Sequence, residues 1–116
     1  MTTLGLNVNM NFSSDEDSFN KQISEQLAIS GTAISSGRIT IGTTEETLPL
    51  GDVSSVGVVV IKNLDDTNFL EHSTTTGQRN HKITPGMFAI VQAKNNNVYV
   101  KADTAPVEIF YWIFSV

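Results

Sequence analysis

His72, His81 and a scatter of carboxylates are the residues in this 116-residue chain whose types could do chemistry. A metal centre on a β-scaffold needs two or three convergent histidines and an acid. No H-x-H or H-E-x-x-H spacing occurs, and the neighbours Glu71 and His72 would point to opposite faces of a strand. Both histidines therefore read as surface or loop residues. Asp52, Asp65, Asp66 and Asp103 fall in turn signals, where the side chain bonds local backbone. Paired acids for glycoside hydrolysis are set by separation in space, and no aromatic-plus-acid pattern singles out a pair. The acidic run SSDEDS at 13–18 reads as a solvated turn or a cation loop, without EF-hand spacing. G-x-S-x-G, P-loop and G-x-G-x-x-G motifs are missing, and there is no cysteine for thiolate chemistry. The expectation is no enzyme, with no catalytic residue, no cofactor and no metal ligand.

What the chain advertises instead is contact surface. Residues 106–116 (PVEIFYWIFSV) read as a strand apolar on both faces. Val107, Ile109, Tyr111 and Ile113 share one face; Phe110, Trp112, Phe114 and Val116 share the other. One face can serve the domain's own core, and the other needs cover, for which a neighbouring subunit is the natural source. Residues 4–12 alternate without a break, with Leu4, Leu6, Val8, Met10 and Phe12 on one face and Gly5, Asn7, Asn9 and Asn11 on the other. That is the period of a half-buried strand.

Residues 19–30 carry two signals. Phe19, Ile23 and Leu27 recur every four residues, Ser14 with Asp17 resembles a capping box and Gly31 a C-cap, which together spell a helix. Read with period 2, Phe19, Ile23, Leu27 and Ile29 share a face broken by Lys21 and Glu25. The strand is preferred, because everything downstream is β: Arg38–Gly42, a short strand before Pro49, the β-branched run 55–63, then 69–73, 81–83, 87–93, 98–102 and the terminal strand. Turns fall at 64–68, 74–80, 84–86, 94–97 and 103–106. The fold class is all-β, a single-domain antiparallel β-sandwich, jelly-roll-like, over residues 1–116, with 1–30 as a contact arm or hairpin. Net charge is -5 with seven Lys and Arg, so there is no electrostatic footprint for nucleic acid or acidic membranes. No signal peptide or apolar run of membrane-spanning length is evident, pointing to a soluble protein folded in a cytoplasm.

The stretch ITIGTTEETLPLGDVSSVGVVVIKNLDDTNFLE (39–71), with ITPGMFAIVQ (83–92) and VYVKADTAPVEIFYWIF (98–114), resembles small virion structural proteins of tailed bacteriophages. The likeness covers about residues 39–116. It rests on an acidic turn before a strand, a K-N-L-D-x-T-N turn, an x-P-G-x-F-A turn and a final Y-x-K-A-D-T-A hairpin with an aromatic strand. The resemblance implies a β-sandwich that decorates or cements the capsid shell as a homotrimer, located on the capsid exterior and bound to the major capsid protein. It implies no catalytic residues, and neighbouring roles stay open: a receptor- or glycan-binding head-fibre, neck or tail module. Within the turns, Asn63, Asp65 and Asn68 are expected to close a hairpin, and Asp103–Thr104 a turn before Pro106. The expected subunit or shell contacts are Leu4, Leu6, Val8, Met10, Phe12, Phe110, Trp112 and Phe114. Residues 1–30 are expected either to reach the shell or to complete the sandwich.

Overall fold

Ten strands and no helix make up the regular structure of the computed structural model, which describes residues 2–29 and 33–115. In chain order they are β1 (Thr2–Ser13), β2 (Ser18–Ile29), β3 (Ile34–Ile41), β4 (Glu46–Thr47), β5 (Val56–Asn63), β6 (Leu70–Ser73), β7 (His81–Ile83), β8 (Phe88–Gln92), β9 (Tyr99–Ala102) and β10 (Val107–Ser115). Every pairing is antiparallel, so the fold is all-β. Contacts divide the chain into two units, Met1–Ser30 and Gly31–Val116. The proposed C-cap Gly31 and the outer-face residue Val116 lie outside the described residues.

In the first unit β1 and β2 pair residue for residue, from Thr2 opposite Ile29 to Ser13 opposite Ser18. The period-2 reading of 19–30 is the one realised. Ser14 and Asp17 close the hairpin rather than cap a helix. The Ser14 amide donates to the Asp17 carbonyl at 2.8 Å, and the Asp17 amide donates to Ser14 Oγ at 3.1 Å. The two strands form a sheet of their own, so neither sandwich sheet is completed by them.

The second unit is a jelly roll. Its eight strands are shared between sheets ordered β3-β10-β5-β8 and β4-β9-β6-β7, the arrangement made by two Greek keys. Between them lies an aliphatic core that includes Ile41, Ile61, Leu70, Val100, Val107, Ile109 and Ile113, each side chain contributing roughly 1.5–3 kcal/mol by burial. Tyr111 is the one aromatic residue of that core. Aliphatic side chains fill the rest of the space between the sheets.

Three turns cross between the sheets, two of them at expected hairpins. The segments 64–69, 93–98 and 103–106 join strands of opposite sheets, so the expected hairpins at 63–68 and 98–114 are corners between layers. Asn63 organises the first corner while fully buried. Its Nδ2 donates to the Asn68 carbonyl at 3.0 Å and the Ile83 carbonyl at 2.9 Å, and its Oδ1 accepts from the Asp65 amide at 2.8 Å. The Pro85–Gly86 turn docks alongside: the Gly86 amide donates to the Asn63 carbonyl, and Gly86 takes φ 77°, a conformation open to glycine. β3 also starts four residues before the expected Arg38–Gly42, since Ser35, Ser36 and Gly37 disguise a strand that pairs with β10 as far as Ile34 opposite Phe114.

Candidate functional site

The alternation of β10 sends Val107, Ile109, Tyr111 and Ile113 into the core and leaves Phe110, Trp112 and Phe114 on the outer face, each half-buried. Register then assembles a surface around them. Phe114 lies between Ile34 of β3 and Val58 of β5, Trp112 between Ser36 and Val60, and Phe110 between Arg38 and Lys62. β8 extends the rows, with Ile90 opposite Val60 and Phe88 opposite Lys62. Phe110 and Trp112 stack with ring centroids 5.2 Å apart and planes 8° from parallel. Ile34 is 57 % exposed and Phe88 54 %. At one end the patch turns polar, where Arg38 on β3 pairs with Glu108 on β10. A contiguous apolar patch rimmed by charge is the signature of a contact surface.

The hairpin carries a second such surface. Leu4, Leu6, Val8, Met10 and Phe12 share a face with Leu27, Glu25, Ile23, Lys21 and Phe19, their respective partners. Near the turn this face is open, with Phe12 57 % and Phe19 51 % exposed. Met10 and Phe12 therefore depart from the half-buried reading. The opposite face is polar, with Asn7 and Ser24 hydrogen-bonded across the strands at 2.6 Å.

The expected contact residues thus fall into two sets, one on each unit. Sequence reasoning did not single out Ile34, Val60, Phe88 and Ile90, which the register brings beside Trp112 and Phe110. The two-sided apolar runs of β5 and β8 were the available signal. It went unread because a strand buried on both faces has the same pattern.

The histidines are brought together, contrary to the surface-or-loop reading for His72. They are cross-strand partners on β6 and β7, with ring centroids 5.2 Å apart. His72 is 6 % exposed. Burial, with the charge of His81 adding, pushes its pKa down to about 4, so its imidazole is neutral near pH 7. The pair borders a cleft of about 230 Å³ that Thr75, Gln78, Asn80 and Lys94 also line. Ser73 Oγ beside it accepts from the Thr75 amide at 3.1 Å, a turn contact. Among the described residues no three His, Cys, Asp or Glu side chains are grouped to hold a metal ion. Asp65 is occupied by its turn: Oδ2 accepts from the Thr67 and Asn68 amides at 2.9 and 2.6 Å, which holds its carboxyl below the usual range. The cleft's lining offers polar groups and no aromatic ring other than imidazole, so it lacks the platform on which a sugar would stack.

Set against family models, curated proteins and solved structures, the chain matches none.

Proposed function

We propose that this chain is a non-enzymatic structural protein of a bacteriophage virion, a capsid decoration protein that binds the shell of the major capsid protein and stabilises it. The observation that carries the reading is the Phe110–Trp112–Phe114 face, half-buried on the outside of the jelly roll and continued by Ile34, Val60, Phe88 and Ile90. Two apolar faces on one small chain supply separate contacts, one for further copies of itself, in trimers as in the proteins it resembles, and one for the shell. The likeness of residues 39–116 to phage virion proteins points the same way, and jelly rolls are a frequent architecture of virion proteins. A protein that binds only the assembled lattice raises that lattice's stability by mass action.

Purified protein added to shells lacking it tests the reading. Binding in proportion to the number of capsid subunits, with a rise in the temperature at which the shells rupture, is the expected result. A few copies per particle would place the protein at a neck or tail instead, and no binding would remove the capsid as partner.

A further inference from the structure

We propose that the apolar face of the hairpin pairs with the same face of a second copy, antiparallel, about a two-fold axis at the row formed by Val8 and Ile23. This rests on the contact-surface reading and refines it: the self-contact becomes a two-fold pair made by the hairpin in place of a trimer, the β10 face is left for the other partner, and the pairing holds or fails whether or not that partner is a capsid.

The hairpin's apolar face needs cover. A two-stranded hairpin is marginal in water and gains stability when its apolar face packs on another layer. Beyond the end row of Thr2 and Ile29, the face is a ladder of five rows: Leu4 with Leu27, Leu6 with Glu25, Val8 with Ile23, Met10 with Lys21, and Phe12 with Phe19. Rows one, three and five are wholly apolar. Rows two and four each combine one apolar residue with one charge, and the charges are opposite in sign.

That order is complementary to its own reverse. A two-fold axis lying between two such faces, perpendicular to the strands, keeps β2 over β2 and reverses the row order. Lys21 of each copy then faces Glu25 of the other, twice, while Val8 and Ile23 meet their own equivalents and the Phe12 row meets the Leu4 row. A two-fold contact of this kind is isologous, so the one hairpin face supplies both halves. Within one copy Lys21 and Glu25 are four residues apart along a single strand, about 13 Å, too far to pair. Neither forms an ion pair among the described residues. A parallel arrangement, about an axis along the strands, keeps the row order and lays β1 over β2, so Lys21 lies over Met10, level with the other Lys21, and never meets Glu25 of the other copy; like charges at one level select against it. The opposite face, rich in Asn, Gln and Ser, stays in water.

Charge reversal in the full-length chain tests this. Lys21 and Glu25 are both exposed, so their substitution leaves the jelly-roll core untouched, which circular dichroism would verify. Over a concentration series from micromolar upward, the wild type should associate. Lys21→Glu and Glu25→Lys should each show a twofold lower mass under the same conditions. An equimolar mixture of the two variants should regain the wild-type mass, as should the double reversal. Mixing cannot repair a folding defect, so its success would locate the pairing between copies. Wild-type mass in both single variants would overturn the proposal, because a parallel bundle already sets like charges together and is indifferent to these changes. A monomeric wild type, or a mixture that stays dissociated, would overturn it too.

Discussion

Phe110 and Trp112, two residues apart on β10, stack their rings at 5.2 Å on the face of the sheet that turns away from the core. Their neighbour Tyr111 lies buried on the other side of the same strand. One strand thus has two faces: its odd-numbered residues hold the sheets together, and its even-numbered ones line the outer face.

Trp112→Ala separates these roles. The ring is half-buried on the outer face, so folding stability should fall by only about 1 kcal/mol, the size of a lost aromatic stack, rather than by the roughly 3–5 kcal/mol of a core tryptophan. Binding to shells or to other copies should fall much further. Thermal unfolding measured beside shell binding checks both halves. A large loss of stability would put the ring in the core.

Asn63 predicts a different outcome. Asn63→Ala removes two donated bonds and one accepted one at a fully buried corner, leaving the Asn68 and Ile83 carbonyls and the Asp65 amide without that partner. The expected loss is about 3 kcal/mol, read from the urea midpoint. Asn63→Asp keeps the acceptor but loses both donors, so it should also destabilise.

Gly37 lies opposite Tyr111 on β3. A Cβ added there would sit 3.1 Å from Tyr111 Oη and 3.3 Å from Cε1. Gly37→Ala should therefore push the buried ring, costing about 1–3 kcal/mol. Tyr111→Phe in the same background should recover part of that cost by removing the nearest atom, which denaturation of the single and double variants would show.

His72 makes stability depend on pH. Its folded pKa of about 4 lies below the ordinary 6.5 because of burial first and His81 second. Above pH 6.5 the unfolded chain is also neutral at this site, and the stability is fully present. As pH falls from about 6.5 to about 4 the unfolded state takes up a proton that the folded state refuses, so stability declines by at most about 3 kcal/mol. His72→Gln should flatten that part of a stability-against-pH profile, whereas His81→Gln should alter it less.

The sequence by itself determined the β class and the two-faced character of the important strands. Period 2 is a property of the extended backbone, so Leu4 to Phe12 and Val107 to Phe114 sort onto faces without reference to anything distant. Over 19–30 period 2 was not enough, because the spacing of four between Phe19, Ile23 and Leu27 suits a helix as well as a strand; the β character of the rest of the chain decided for the strand.

Which strands become neighbours was decided only in three dimensions. Turn residues announce that the chain changes direction, but Asn63, Asp65 and Asn68 look alike whether they close a hairpin or carry the chain across to the other sheet. The difference lies in burial of the far strand: β6 pairs with β7 and β9, and β10 with β3 and β5, because each sheet must set one face against the aliphatic core. That same pairing placed Ile90 and Phe88 beside β5, extending the Trp112 and Phe110 rows, and His81 beside His72, though each is remote from its partner or close to it in sequence for no reason legible there. A contact surface is a sum over several strands. Periodicity reveals each strand's share, and only the register adds the shares together.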